Sequence, residues 1–293
     1  MAAFLVIGAL ALDRPIWLSA PVQRGGRVAG RSLDQQLGPR LGGGGANAGV
    51  ALANSGAAVH VASVVSQDAD GDRVLSMAAA AGLDVSLVRR REGASRTTLI
   101  LIDPDGERLV LGLDPPAPPY ALPDLPSPEA RPDVRPAGVY VRAAYPGAAA
   151  WADCATGPVI LHWPAPTYDG PADVVVCSAD DLTPEVLAAP FEAARAALGP
   201  RLSWVVVTYG ADGVRAYNGC EELFVAPPPA RVVDATGAGD VFAAGLMEAL
   251  AAGAPMPAAL AHASAWGAAT VELASSAPVD APAGLYRRYA PAA

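Results

Sequence analysis

The 293-residue chain contains no lysine; every one of its 20 basic residues is arginine. That absence excludes a Schiff-base or pyridoxal-phosphate lysine, the Walker lysine of a P-loop and the β3 lysine of a protein kinase. Positive charge is scarce altogether, since 29 Asp and Glu bring the net charge to −9 and the pI to about 4.8. A broad nucleic-acid surface needs clustered cations to neutralise phosphates, so no nucleic-acid partner is expected. The one basic run, Arg89-Arg90-Arg91, reads as a solvated helix or loop end.

Cysteine and histidine are also sparse. Cys154, Cys177 and Cys220 are odd in number and lack C-x-x-C spacing, which argues against a disulfide framework or zinc site and for a reducing compartment. His60, His162 and His262 stand apart and read as structural residues. The apolar opening, Met1 to Leu12, has no basic n-region and meets Asp13-Arg14 well short of a membrane span. A buried first strand is expected there, with no signal peptide, no membrane partner and a cytoplasmic location. What the chain does have is apolar bulk: 52% hydrophobic against 17% charged residues excludes a mainly disordered chain and suffices for a large core.

Phe4 to Leu10 is a continuous apolar run, suited to a central parallel strand buried on both faces. Residues 14–41 lack helical period and read as short irregular strands. A small-residue helix is expected from Ala46, with Gly56 as its C-cap, then a strand over Val59–Val65 and a helix over Val74–Ala81 closing at Gly82. Thr97–Ile102 and Glu107–Leu113 flank Asp103-Pro-Asp-Gly106 and form the clearest hairpin. Nine prolines between Pro115 and Pro136 mark an extended loop. Short strands at Val139–Val141, Val159–Leu161, Val174–Val176 and Trp204–Val207 then alternate with helical stretches at 184–198, 240–252 and 257–275. Such alternation predicts a mostly parallel sheet covered on both faces.

Two segments carry chemistry. In Asp234-Ala-Thr-Gly237-Ala238-Gly239-Asp240, two glycines free the backbone to turn its N–H groups toward one point ahead of an apolar helix, which makes an anion site. Asp240 beside that site is either a base poised to take a proton from an attacking hydroxyl or simply an acid in the helix's first turn. In Gly42-Gly43-Gly44-Gly45-Ala46-Asn47, glycines again precede a helix, and Asn47 offers a donor and an acceptor to hydroxyls. Neither G-x-G-x-x-G nor G-x-x-x-x-G-K-[ST] occurs, so nicotinamide-type Rossmann and P-loop readings lose their fingerprint.

Together these two segments resemble the paired signatures of the PfkB, or ribokinase-like, carbohydrate kinases. Val206-Val207-Thr208-Tyr209-Gly210-Ala211-Asp212-Gly213 is similar to the family's nucleotide strand, and Asp13 falls where the family keeps a substrate-binding Asp. The resemblance implies an α/β fold, a Rossmann-type α/β/α sandwich in one kinase domain over residues 1–293, with a small β-sheet lid from about 14–41 and 96–113. It implies ATP-dependent phosphorylation of a hydroxyl on a sugar or sugar-like molecule. Asp240 is then the base, and the amides of Gly237, Ala238 and Gly239 are the anion hole. Asp13, Gly43 and Asn47 hold the substrate; Thr208, Gly210, Gly213 and Thr236 line the ATP site. Mg²⁺ accompanies the nucleotide, and Asp234 is placed to help hold the K⁺ that some members use. Because the lid clasps a dimer in many relatives, the apolar hairpin is expected to pair with a second copy.

Several residues depart from the family pattern. The Asn-x-x-Glu motif that orders Mg²⁺ and its waters stands here as Ser178-Ala-Asp-Asp181, leaving Asp181 as the water-mediated metal residue on a shorter arm. The lysine after the paired glycines of ribokinases and phosphofructokinases is Gly44, which counts against those substrates. Asp13-Arg14-Pro-Ile-Trp17 has some likeness to heptose-phosphate kinases, in which Arg14 or Arg142 would meet a phosphate, and Trp17 or Tyr145 would suit a nucleoside. A non-catalytic sugar- or nucleotide-binding protein on the same fold is the alternative that the altered Ser178-x-x-Asp181 raises.

Overall fold

The computed structural model describes residues 3–23, 25–32, 38–105, 108–113, 122–165, 167–274 and 277–289. Its centre is an eight-stranded sheet of β1 (Ala3–Ile7), β5 (Ala58–Ala62), β10 (Gly138–Val141), β11 (Val159–His162), β12 (Val174–Ser178), β13 (Trp204–Thr208), β14 (Val214–Tyr217) and β15 (Glu222–Val225). The spatial order is β15-β14-β13-β12-β11-β10-β1-β5. All neighbours from β5 to β13 are parallel, and β14 and β15 close one edge antiparallel.

The period of two along each strand divides the apolar residues between two cores. Phe4 and Val6, Tyr140, Ile160, Val174 and Val176 face one side. Leu5 and Ile7, Val139, Val141, Val159, Leu161 and Val175 face the other. The first side is covered by α1 (Gly44–Ser55), α2 (Ala69–Ala80), α6 (Ala238–Ala251) and α7 (Met256–Val271). The second is covered by α3 (Ala148–Asp153), whose fully buried Trp151 donates its indole N–H to the Pro126 carbonyl at 2.7 Å, and by α5 (Pro190–Leu198). Burial on both faces is what the continuous apolar runs require. Close packing shows at Gly245 of α6, where a Cβ would stand 2.9 Å from the Trp266 ring of α7.

A second sheet is assembled from β2 (Ala11–Leu18), β3 (Gly30–Ser32), β4 (Arg40–Gly42), β8 (Thr97–Ile102) and β9 (Arg108–Leu113), in the order β3-β2-β8-β9 with β4 also on β2. The two segments expected to form a lid thus share one sheet, which begins earlier than expected, at Ala11. The hairpin β8–β9 is antiparallel as predicted; Gly106 and Glu107 of its turn, and prolines 115–119, lie outside the described residues.

The structure corrects several expectations. Arg89–Arg91 is not a loop end but β7, paired in parallel with β6 (Val64–Ser66), so Val59–Val65 is two strands in two sheets. The stretch 184–198 breaks at Ala189, because Pro190 cannot donate to the preceding turn, and forms α4 (Pro184–Ala188) and α5. Helix α3 and the edge strands β14 and β15 were not expected. The three cysteines are free thiols, and among the described residues no helix is long and apolar enough to cross a membrane.

Candidate active site

In a parallel sheet with strand crossovers on both faces, ligands bind outside the carboxyl ends of the strands where the strand order reverses. Here that point lies at β1, flanked by β5 on one side and β10 on the other. The chain leaves β1 at Gly8, and the Arg142 amide following β10 donates to the Ile7 carbonyl at 2.7 Å, which ties the two strand ends together.

Asp240, in the first turn of α6, is buried at this edge and takes three hydrogen bonds. Asn47 Nδ2 donates to its Oδ2 at 2.9 Å. Arg142 Nε donates to its Oδ1 at 2.7 Å, and the Tyr140 hydroxyl to the same oxygen at 3.3 Å. The Tyr140 oxygen also lies 3.3 Å from His162 Nδ1. Asn47 Oδ1 is buried with no partner, in a residue only 4% exposed.

The electrostatics of this cluster follow from its burial. Burial, reinforced by the Asp240 charge, raises the Tyr140 pKa well above its ordinary value, so the phenol stays protonated and acts as a donor. Burial pulls against the Arg142 charge, but Asp240 and Tyr140 outweigh it and lift the pKa of the guanidinium. Burial, with Arg142 adding to it, lowers the His162 pKa to about 4, so this ring is neutral near pH 7.

The glycine loop makes room for these groups. Gly43 caps α1 at φ +87°, a backbone state closed to most L residues, and a Cβ there would stand 2.5 Å from the Ala9 carbonyl oxygen. A Cβ on Gly42 would collide with the Asp13 carboxylate, and one on Gly44 would stand 2.5 Å from Arg142 Cγ and 3.1 Å from Asp240 Oδ1. Asp13, on β2, is buried and lines a narrow recess with Arg40 of β4, Ile100 and Ile102 of β8, Asp234 and Thr236. The second sheet therefore lies against the loop that precedes α6.

That loop is anchored at both ends. Val233 and Asp234 amides donate to the Val271 carbonyl at the end of α7, at 2.6 and 3.0 Å, and Asp234 Oδ1 accepts from the Thr236 amide at 2.8 Å. Gly237 at φ +80° then caps α6. The Ala238 amide closes the turn on the Ala235 carbonyl at 3.3 Å, and nothing lies within 4 Å of where a Gly239 Cβ would be. This open helix end suits an anion through its aligned amides and positive dipole.

The remaining predicted residues stand farther along the same edge. Thr208 ends β13 and donates its hydroxyl to the Cys177 carbonyl at 3.3 Å; Gly210 at φ +57° and Gly213 at φ +99° frame the turn after it. Asp181 follows β12, is exposed, and is near enough for its charge to be felt at Arg142 and His162. Among the described residues no three His, Cys, Asp or Glu side chains gather into a metal cluster.

The site brings Asn47 onto Asp240 and sets Asp13, Asp234 and Thr236 around one recess beside the Gly42–Gly44 loop. It adds Tyr140 and His162, which the sequence did not single out as site residues, and it makes Arg142, named from the sequence as a phosphate contact in a heptose-phosphate kinase, the hydrogen-bonding partner of Asp240. His60 and His262 are structural as expected, 3.1 Å from Asp84 and from Glu248. The missed residues share one signal: Tyr140 is the penultimate residue of a buried parallel strand, Arg142 immediately follows it and His162 ends the next.

The architecture is that of the ribokinase fold. Residues 18–151 and 171–282 match the model of the pfkB family of carbohydrate kinases, and the chain belongs to that family. Its structure is similar to Arabidopsis thaliana ribokinase complexed with ribose and ATP, with TM-score 0.73 and 20% identity over 98% of each chain. It is likewise similar to ribokinase from Cryptococcus neoformans in complex with ADP, with TM-score 0.72 and 18% identity over 98% of this chain and 99% of that one. Fructoselysine 6-kinase of Escherichia coli is 40% identical over 68 residues, spanning 23% of this chain and 26% of that enzyme.

Proposed function

We propose that the protein transfers the γ-phosphoryl group of ATP to a hydroxyl of a sugar or sugar-like molecule, with Asp240 as the base. The observation that carries this reading is the pairing of Asn47 with Asp240. An ionised carboxylate has about four lone-pair sites. Oδ1 takes Arg142 and Tyr140, whereas Oδ2 takes only Asn47, so the free acceptor position lies on Oδ2. Beside it the buried, unpartnered Asn47 Oδ1 calls for a donor. An acceptor molecule with two neighbouring hydroxyls satisfies both oxygens at once and places one O–H against the base.

In this reading Asp13 and Gly43 complete the acceptor's hold, and the Gly237 and Gly239 amides stabilise the charge on the transferring group, joined by the Ala238 amide where it leaves its long 3.3 Å bond to the Ala235 carbonyl. Thr208, Gly210, Gly213 and Thr236 hold the nucleotide. A Mg²⁺ ion typically binds through one or two carboxylates, water and substrate phosphates, a set that the exposed Asp181 fits; it would supply neutralisation of charge on the phosphates. Asp234 is the candidate residue for a K⁺ ion. The exposed Leu109, Val110, Leu111 and Leu113 of edge strand β9 support pairing of two copies through the second sheet, which sedimentation at micromolar concentration tests.

The direct test is ADP release with ATP and Mg²⁺ across sugars, sugar phosphates, sugar acids and nucleosides. Asp240→Asn should lower kcat by at least about a hundredfold with the true acceptor. Near wild-type turnover in that variant overturns the assignment.

A further inference from the structure

Resting on that reading, we infer that the acceptor is acidic and that Arg142 binds its anionic group, a carboxylate or a phosphate borne close to the reacting hydroxyl. Among the described residues Arg142 uses only Nε, which donates to Asp240 at 2.7 Å, and neither terminal nitrogen has a protein hydrogen bond; the side chain is 38% exposed. A guanidinium carries five N–H donors in a rigid plane, so four remain for a ligand. Those four form the fork that binds carboxylate and phosphate oxygens in pairs.

The surroundings show that this cation is accommodated at some expense to the fold. Gly44 leaves the space that any side chain would take from Arg142 Cγ. The guanidinium stands against the base itself, its Nε 2.7 Å from Asp240 Oδ1, and is held there within the site rather than turned out to solvent. A neutral polyol gains less from that arrangement than an anion does, because a guanidinium bond to a hydroxyl lacks the charge assistance and paired geometry of one to a carboxylate or phosphate. An acceptor anion does gain. It draws on the terminal nitrogens, shares the positive charge with Asp240, and fixes its neighbouring hydroxyl beside Oδ2. Without such a cation the anion would face the carboxylates of Asp13, Asp240 and Asp181. The transferring phosphoryl group has its own site in the open N-terminus of α6, so Arg142 is left for the acceptor.

The experiment compares hexonates and hexose phosphates with the corresponding neutral hexoses in the wild type and in Arg142→Gln and Arg142→Lys. Initial rates give kcat and KM, and calorimetry on Asp240→Asn gives binding without turnover. The wild type should favour the acidic partner of its best pair by about tenfold to a hundredfold in kcat/KM. Arg142→Gln should bring that ratio close to one, mainly through KM, and Arg142→Lys should restore part of it. Thermal melting confirms that each variant is folded. Three results overturn the inference: a neutral sugar as the best acceptor with KM unchanged in Arg142→Gln; a fall in kcat common to all acceptors with KM constant; or no binding of any acidic sugar. The kinase reading survives all three as long as some acceptor yields ADP that Asp240→Asn abolishes, and it fails separately if none does.

Discussion

The Tyr140 hydroxyl stands between two groups, 3.3 Å from Asp240 Oδ1, to which it donates, and 3.3 Å from His162 Nδ1. Both ends of this chain are set by burial. The phenol stays protonated and the imidazole neutral, and the hydroxyl donates to the carboxylate oxygen, which can only accept. Tyr140 is thereby a positioning residue: it helps occupy Oδ1 and leaves Oδ2 for the acceptor.

Tyr140→Phe removes one long hydrogen bond while keeping the ring in the core. A bond of this kind is worth about 0.5–1.5 kcal/mol, so kcat should fall about twofold to tenfold with little change in nucleotide KM. Steady-state kinetics decide it, and a rate equal to wild type would remove Tyr140 from the site's machinery.

His162 makes acid sensitivity a second expectation. Its pKa is depressed to about 4 in the fold, against about 6.5 in the unfolded chain. Between those values the unfolded state binds more protons, so stability falls as pH drops from about 6.5 toward 4 and levels off below. The effect is on the order of 3 kcal/mol at full extent. Denaturant midpoints measured from pH 7 to 4.5 should show a steeper acid decline in wild type than in His162→Gln; parallel curves would contradict it.

Gly44→Ala tests the room made for Arg142. The added methyl would stand 2.5 Å from Arg142 Cγ, so the side chain must shift and its 2.7 Å bond to Asp240 must lengthen or break. Activity should drop by about tenfold or more while the melting temperature falls less than for an overpacked core, because the partly exposed guanidinium can move outward. Wild-type rates would show that the guanidinium position is immaterial.

Gly245→Ala should do the reverse. Its Cβ would press on the Trp266 ring, which is fully buried between α6 and Tyr286 and cannot swing away. A destabilisation of about 1–3 kcal/mol is expected, read by denaturant unfolding, with kcat retained in the folded fraction.

Much of the site was legible because its cues are local. Gly237 to Asp240 lie within one turn, and Gly42 to Asn47 within the next such turn, so the glycine spacing and the following apolar helix announce both. Arg142, Tyr140 and His162 come together only because β10 and β11 lie side by side, a tertiary fact with no local pattern. Their trace in the sequence is a polar residue at the close of an apolar strand, as in Val141-Arg142 and Leu161-His162. The parallel strands were legible from continuous apolar runs, whereas β14 and β15 are short and alternate polar with apolar residues, as an edge hairpin allows. Pro190 split one helical stretch into two because its ring breaks the turn regardless of the apolar pattern around it.

The pairing of β2 with β8 has a consequence for how the chain acquires its shape. Asp13 and Arg14 lie beside Thr98 and Leu99, so the strand carrying the Asp13 carboxylate finds its parallel neighbour only after α1, β5 and α2 have intervened. Contacts so remote in sequence form slowly, because loop closure must precede their reward. On the ribosome, an emerging chain holds β2 with an unsatisfied edge until β8 is made. The recess that Asp13 lines is thus among the last parts of the amino-terminal half to be completed, and substitutions in β8, far from Asp240, would be felt first as slow maturation.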